Sequence, residues 1–135
     1  MSLLCPSAQP DMNSATVLGV VDDESPGLIA YLNERVEVTT DILGLTGAVK
    51  PVRVLRFAAS CEESACAHFN DNACSLVTRI VDRLPAVVSM LPRCNIRQGC
   101  RWYAQEGKAA CYRCPQVTTE QSQATDAMAS VARPD

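Results

Sequence analysis

This chain of 135 residues predicts an α+β fold: a small β-rich N-terminal half followed by a helical, cysteine-rich, metal-binding half. Three observations carry that expectation. Short β-branched and apolar runs separated by turn residues fill the first part of the chain. One central stretch places its apolar residues at helical spacing. Seven of the eight cysteines lie between positions 61 and 114.

Residues 1–14, rich in proline and small polar residues, read as a flexible lead. They carry no positive n-region and only Leu3 and Leu4 as an apolar centre, so they do not have the form of a secretory signal. TVLGVVD at 16–22 reads as a strand, DESPG as a turn cluster, and LIAYL as the next strand. Val36-Glu37-Val38-Thr39 alternates and suggests a third short strand. Ile42, Leu43 and Leu45, closed by Gly47, read as a short helix or turn. VRVLRF at 52–57 reads as a further strand with a blurred alternation. These segments make up a β-rich subdomain at 15–60.

A cysteine-rich, cluster-binding subdomain is expected at 61–116. Within it, Ala73, Leu76, Val77, Ile80, Val81 and Leu84 repeat on one helix face, which predicts a helix over 72–84 capped by Asp71 or Asn72. Pro85 interrupts it, because proline lacks the N–H and crowds the preceding turn. Val87, Val88 and Leu91 continue the stripe as a shorter helix that Pro92 ends. Beyond Cys94 the chain is polar, and its cysteines belong on loops or short helical turns. Residues 117–135 are small, polar and without strong period, and read as a flexible tail.

Composition narrows the functional classes. Hydrophobic residues make up 47% of the chain, with one Trp, two Phe and three Tyr, so the core is mainly aliphatic. No apolar run reaches the roughly 20 residues of a membrane helix. The expected location is therefore the cytoplasm, where clustered thiols more often bind metal or do redox work than form structural disulfides. Residues 50–114 carry a local charge of +5 and the remainder −8, so the cysteine-rich part is a basic island in a chain of net charge −3. That excess does not make a nucleic-acid binder, for the pI is not extreme and no recognition-helix pattern is evident. Without a Gly-rich phosphate loop, a G-x-S-x-G elbow or paired catalytic carboxylates, only cysteine chemistry near His68 is left to an enzyme, and a non-catalytic role is expected.

The thiols fall into two groups. The first is C-x4-C-x-H-x5-C, from Cys61, Cys66, His68 and Cys74. The second is C-x5-C-x10-C-x2-C-P, from Cys94, Cys100, Cys111, Cys114 and Pro115. A C-x2-C turn aims two thiolates at one centre, a device shared by zinc and iron–sulfur sites. A single histidine excludes a Cys2His2 finger, and a single C-x2-C excludes a paired zinc ribbon. The ferredoxin spacing and the complete Rieske pattern are also missing.

An iron–sulfur centre is preferred, with zinc as the alternative. Cys114-Pro115 matches the ending of some cluster motifs. Arg97, Arg101, Lys108 and Arg113, with Arg93, are interleaved with the second group, and cations beside a four-thiolate centre of net charge −2 compensate it and tune its potential. Cys94, Cys100, Cys111 and Cys114 form the best single quartet; Cys61, Cys66 and Cys74 hold a second centre or contribute to the first. Cys5 stands apart and reads as incidental, and His68 as an ordinary, partly exposed histidine.

The combination of C-x4-C-x-H-F, LPxC, CRW, QEGxxAC and CPQ over residues 61–117 resembles small bacterial, cyanobacterial-type cysteine-rich proteins described as iron–sulfur proteins. The resemblance implies iron–sulfur binding on the seven cysteines from Cys61 to Cys114 and carries no established activity; one or two clusters, of the [4Fe–4S] type, are expected. The functional expectation is electron transfer or a redox- or oxygen-responsive switch with a protein redox or regulatory partner. The alternative is a zinc-stabilised protein-interaction module.

Overall fold

The computed structural model describes residues 3–22, 28–117 and 126–133. Strands β1 (Leu4–Ala8), β2 (Thr16–Asp22) and β3 (Leu28–Glu37) lead into the short helices α1 (Thr40–Gly44) and α2 (Pro51–Val54), and strand β4 (Leu55–Ser60) follows. A miniature hairpin, β5 (Phe69–Asn70) and β6 (Ala73–Cys74), precedes helix α3 (Ser75–Arg83). Helices α4 (Arg101–Glu106), α5 (Lys108–Cys111) and α6 (Asp126–Ala132) complete an α+β fold.

The main sheet has the order β1-β4-β2-β3 with every pair antiparallel. Inner strand β4 is buried on both faces. Its Phe57 and Ala59 join Ala8, Val17 and Val52 in a core that also takes in Ile42 and Leu43. Its Ala58 joins Leu18, Val77, Ile80, Trp102 and Val131 in a larger core on the other side. Burial on both faces explains the blurred alternation, since such a strand has no polar side to display. The larger core mixes residues from before and after position 60, so the boundary expected there is not a break in packing.

Gly19 decides how tightly β2 and β3 meet. It lies in the ladder between Tyr31 on β3 and Arg56 on β4, beside a register shift. A Cβ there would stand 2.5 Å from Ile29 Cγ2 and 2.7 Å from the Ala30 carbonyl oxygen, so only glycine fits without displacement.

Several expectations are corrected. The flexible lead contains β1, whose Pro6 is tolerated because β1 is an edge strand. Val36 and Glu37 end β3 rather than forming a strand of their own. The strand expected over 52–57 starts only at Leu55, because Pro51 opens a helical turn at the position where its missing N–H costs nothing. Asp71 and Asn72 do not cap the long helix. Both adopt positive φ (50° and 61°) as the two-residue turn of the β5–β6 hairpin, and α3 starts at Ser75. The shorter helix after Pro85 does not form. Leu84 is extended, as a residue before proline prefers, and the Leu84 and Pro85 carbonyls accept from Arg113 Nε (2.7 Å) and Gln116 Nε2 (2.7 Å). The expected flexible tail contains α6, with Val131 buried in the larger core. The DESPG turn cluster falls on residues 23–27, outside the described residues.

Candidate metal centres

All eight cysteines are free thiols, and they stand in two groups of four. Cys94, Cys100, Cys111 and Cys114 border a small cavity of about 20 Å³. Cys5, Cys61, Cys66 and Cys74 border a larger one of about 330 Å³. Trp102, buried at the start of α4, borders both.

The quartet at the smaller cavity, termed the enclosed quartet for that size alone, is assembled by short turns. Cys94 and Cys100 flank the 3-10 turn Arg97–Gly99, Cys111 ends α5, and Cys114 opens the 3-10 turn Cys114–Gln116, in which Pro115 is buried. Each of the four sulfurs faces a donor. The Ile96 N–H faces Cys94, and those of Tyr103 and Trp102 face Cys100, although Cys100 closes no capping hydrogen bond as the residue before α4. The Arg97 side chain approaches Cys111. Arg56 NH2 donates to Cys114 Sγ at 2.9 Å, and the Tyr31 hydroxyl approaches the same sulfur.

Arg56 is the outstanding group of this site. It is fully buried, yet among the described residues no carboxylate pairs with it. Its Nε donates to the Pro6 carbonyl at 2.7 Å and its NH1 to the Cys114 carbonyl, while its guanidinium carbon lies 5.5 Å from the centre of the Trp102 ring. Burial works against its charge; Cys114, Tyr31 and Cys100 outweigh it, and its pKa stays above the ordinary arginine value. A buried cation requires an anion nearby, and among the described residues only the thiols and the phenol are placed to supply one.

Burial also pushes the thiol pKa values of Cys94 and Cys111 up and drives Cys100 up to about 12. At neutral pH these three therefore hold their protons unless a metal displaces them. Two buried donors beside the quartet, Arg97 Nε and Trp102 Nε1, have no hydrogen-bond partner. Thiols that need a metal to ionise, a buried cation awaiting their charge and donors awaiting an acceptor are together what a thiolate-bound metal centre requires. Among the described residues, no group of three or more His, Cys, Asp or Glu side chains is placed to hold one single ion.

No protein-family model matches the chain, and neither a curated protein nor a solved structure matches it significantly. The chemical reading therefore rests on the residues themselves.

The open quartet draws on four separate elements. Cys5 comes from β1, and Cys61 follows β4, its N–H donating to the Leu3 carbonyl at 2.9 Å. Cys66 ends the 3-10 turn Glu63–Ala65, and Cys74 precedes α3. Gln105 on α4 grips the Cys74 backbone at both ends, accepting from its N–H and donating to its carbonyl, each at 2.8 Å. Burial pushes Cys74 up and Cys5 up to about 12, while the N–H groups of Ser7 for Cys5, and of Val77 and Leu76 for Cys74, oppose the shift.

His68 also borders the larger cavity, but its Nδ1 takes a hydrogen bond from Arg79 NH2 at 2.7 Å. That leaves Nε2 carrying the proton of the neutral ring, so His68 offers a donor and no lone pair. Partial burial and the Arg79 charge hold its pKa below the usual value.

The four basic residues expected around the second group separate. Arg97 lies against Cys111. Arg101 borders the larger cavity instead and lies over Phe69, 5.3 Å from the ring centre. Arg113 spends its guanidinium on the Leu84 and Ala109 carbonyls, and Lys108 is exposed at the start of α5. Sequence reasoning missed Arg56, Tyr31 and the association of Cys5. Two signals were available: an arginine inside the apolar run VRVLRF, and a Cys-Pro pair at Cys5-Pro6 that repeats the one at Cys114-Pro115.

Proposed function

We propose that this chain is a small cytoplasmic iron–sulfur protein acting in electron transfer or as a redox-responsive switch, its centre held by the thiolates of Cys94, Cys100, Cys111 and Cys114. The observation that carries this reading is Arg56: a fully buried cation, without a carboxylate partner among the described residues, bonded to the Cys114 sulfur. A thiolate-ligated centre of net negative charge gives it a counter-charge inside the core.

Iron–sulfur is favoured over zinc by the ending of the second group. Pro115 is buried directly after Cys114, where it shields the ligand turn.

When bound, such a cluster supplies one-electron exchange with a protein partner. The chain's own residues set its potential: Arg56 and Arg97 add positive charge, Tyr31 adds a hydrogen-bond donor, and Trp102 and Leu18 limit water. Anaerobically purified protein is expected to be brown, with iron and acid-labile sulfide in comparable amounts and a visible absorbance that bleaches on reduction. Colourless protein that contains zinc contradicts the reading and supports the zinc-stabilised interaction module instead.

A further inference from the structure

We propose that Cys5, Cys61, Cys66 and Cys74 form a second, separate four-thiolate site that takes its own iron–sulfur cluster, with the N-terminal strand supplying the fourth ligand. This goes beyond the enclosed centre and uses none of its thiols.

The first support is convergence of elements distant in sequence. β1 threads between the two cavities and alternates as a strand does: Cys5 and Ser7 border the larger one, and Pro6 borders the smaller. Leu4 forms a parallel bridge with Cys100, which fixes β1 against the enclosed quartet while Cys5 faces the open one. The three thiols after residue 60 thus gain a fourth that their local spacing lacks.

The second support is space. The cavity of about 330 Å³ is walled in part by Leu76, Ile80 and Val131, residues of or against the larger core. An apolar wall does not hold ordered water well. A single ion would leave most of the volume empty, whereas a cluster of iron and sulfide fills it against apolar walls.

The third support is an unspent donor. Among the described residues Arg101 Nε is buried and unpartnered, and Arg101 borders this cavity. A sulfide or thiolate sulfur gives such a donor an acceptor, and Arg101 brings positive charge to the otherwise uncompensated thiolates. Four thiols release four protons when the cluster binds, and the thiolates become its terminal ligands.

The test measures iron and acid-labile sulfide per chain, with EPR of the reduced protein, in wild type, Cys5→Ala, Cys111→Ala and the double variant, all prepared anaerobically. Two centres are expected in wild type. Each single variant should lose about half the iron and one EPR component, and the double variant should lose both. Full iron in Cys5→Ala, or zinc in place of iron in the open quartet, overturns the second cluster. Retained iron in Cys111→Ala with loss in Cys5→Ala overturns the enclosed centre instead and leaves this one standing. Circular dichroism checks folding. Should Cys5→Ala not fold, Cys61→Ala, outside the strand and partly exposed, carries the same expectation.

Discussion

The two thiol quartets differ in how much of their site the fold completes in advance. The enclosed quartet closes on about 20 Å³, beneath a sheet that aims a buried arginine and a tyrosine at one of its sulfurs. The open quartet surrounds about 330 Å³ and is drawn from four elements, including the edge strand nearest the chain start. Electrostatics dominates the first, since Arg56 is misplaced in a core without a counter-charge. Space distinguishes the second, whose four thiols border about 330 Å³. The same residue type is thus held by two different physical means within one fold.

The largest expected effect separates the quartets outright. Cys100→Ser should abolish the enclosed centre while leaving iron on the open quartet, as read by iron content and EPR. Loss of both centres would join them into one site. Arg56→Met comes next. In the loaded protein it removes the compensating charge of a buried pair and should cost about 3–5 kcal/mol, lowering the reduction potential as well. In the metal-free protein, where the thiols are neutral, the same change should cost much less. Equal losses in both forms, measured by denaturant unfolding, would detach Arg56 from the centre.

A pH dependence follows for the metal-free protein. Cys5 and Cys100, one from each quartet, have folded-state pKa values near 12 against an ordinary 9.0. Between those values the folded chain binds more protons than the unfolded one, so stability is intact below about pH 9 and falls as pH rises toward about 12. Loaded protein should lack that fall and instead lose metal as pH drops, since protons compete for thiolate. Thermal melts of both forms across pH check the sign. The smallest effect is expected of Gly19→Ala, which pushes against Ile29 and the Ala30 carbonyl at the level of Tyr31 and Arg56. About 1–3 kcal/mol of destabilisation is expected, with a shifted EPR signal for the enclosed centre and an unchanged one for the open centre.

The fold class was legible in the sequence because local signals carried it. TVLGVVD and LIAYL became β2 and most of the first half of β3, and the Leu76-Val77-Ile80 stripe became α3. The failures occurred where distant contacts overrode local pattern. β1 exists because β4 offers it a ladder, α6 because the larger core has a place for Val131, and no helix follows Pro85, where Arg113 and Gln116 claim the Leu84 and Pro85 carbonyls. The second group of cysteines was readable as a set since its members are close in sequence. Cys5 was not, because 56 residues separate it from Cys61 and only the sheet brings them to one cavity. Arg56 was countable as charge, but its burial follows from the two-sided cover of β4.

The central claim is that buried thiolates, balanced by Arg56, hold a polynuclear iron–sulfur core. X-ray absorption at the iron and zinc edges of anaerobically prepared protein tests it most directly. An iron edge with a sulfur shell and a short iron–iron vector, the sulfur shell perturbed in Arg56→Met, is the predicted result. A zinc edge with four sulfurs and no metal–metal scattering, or no bound metal at all, would contradict it.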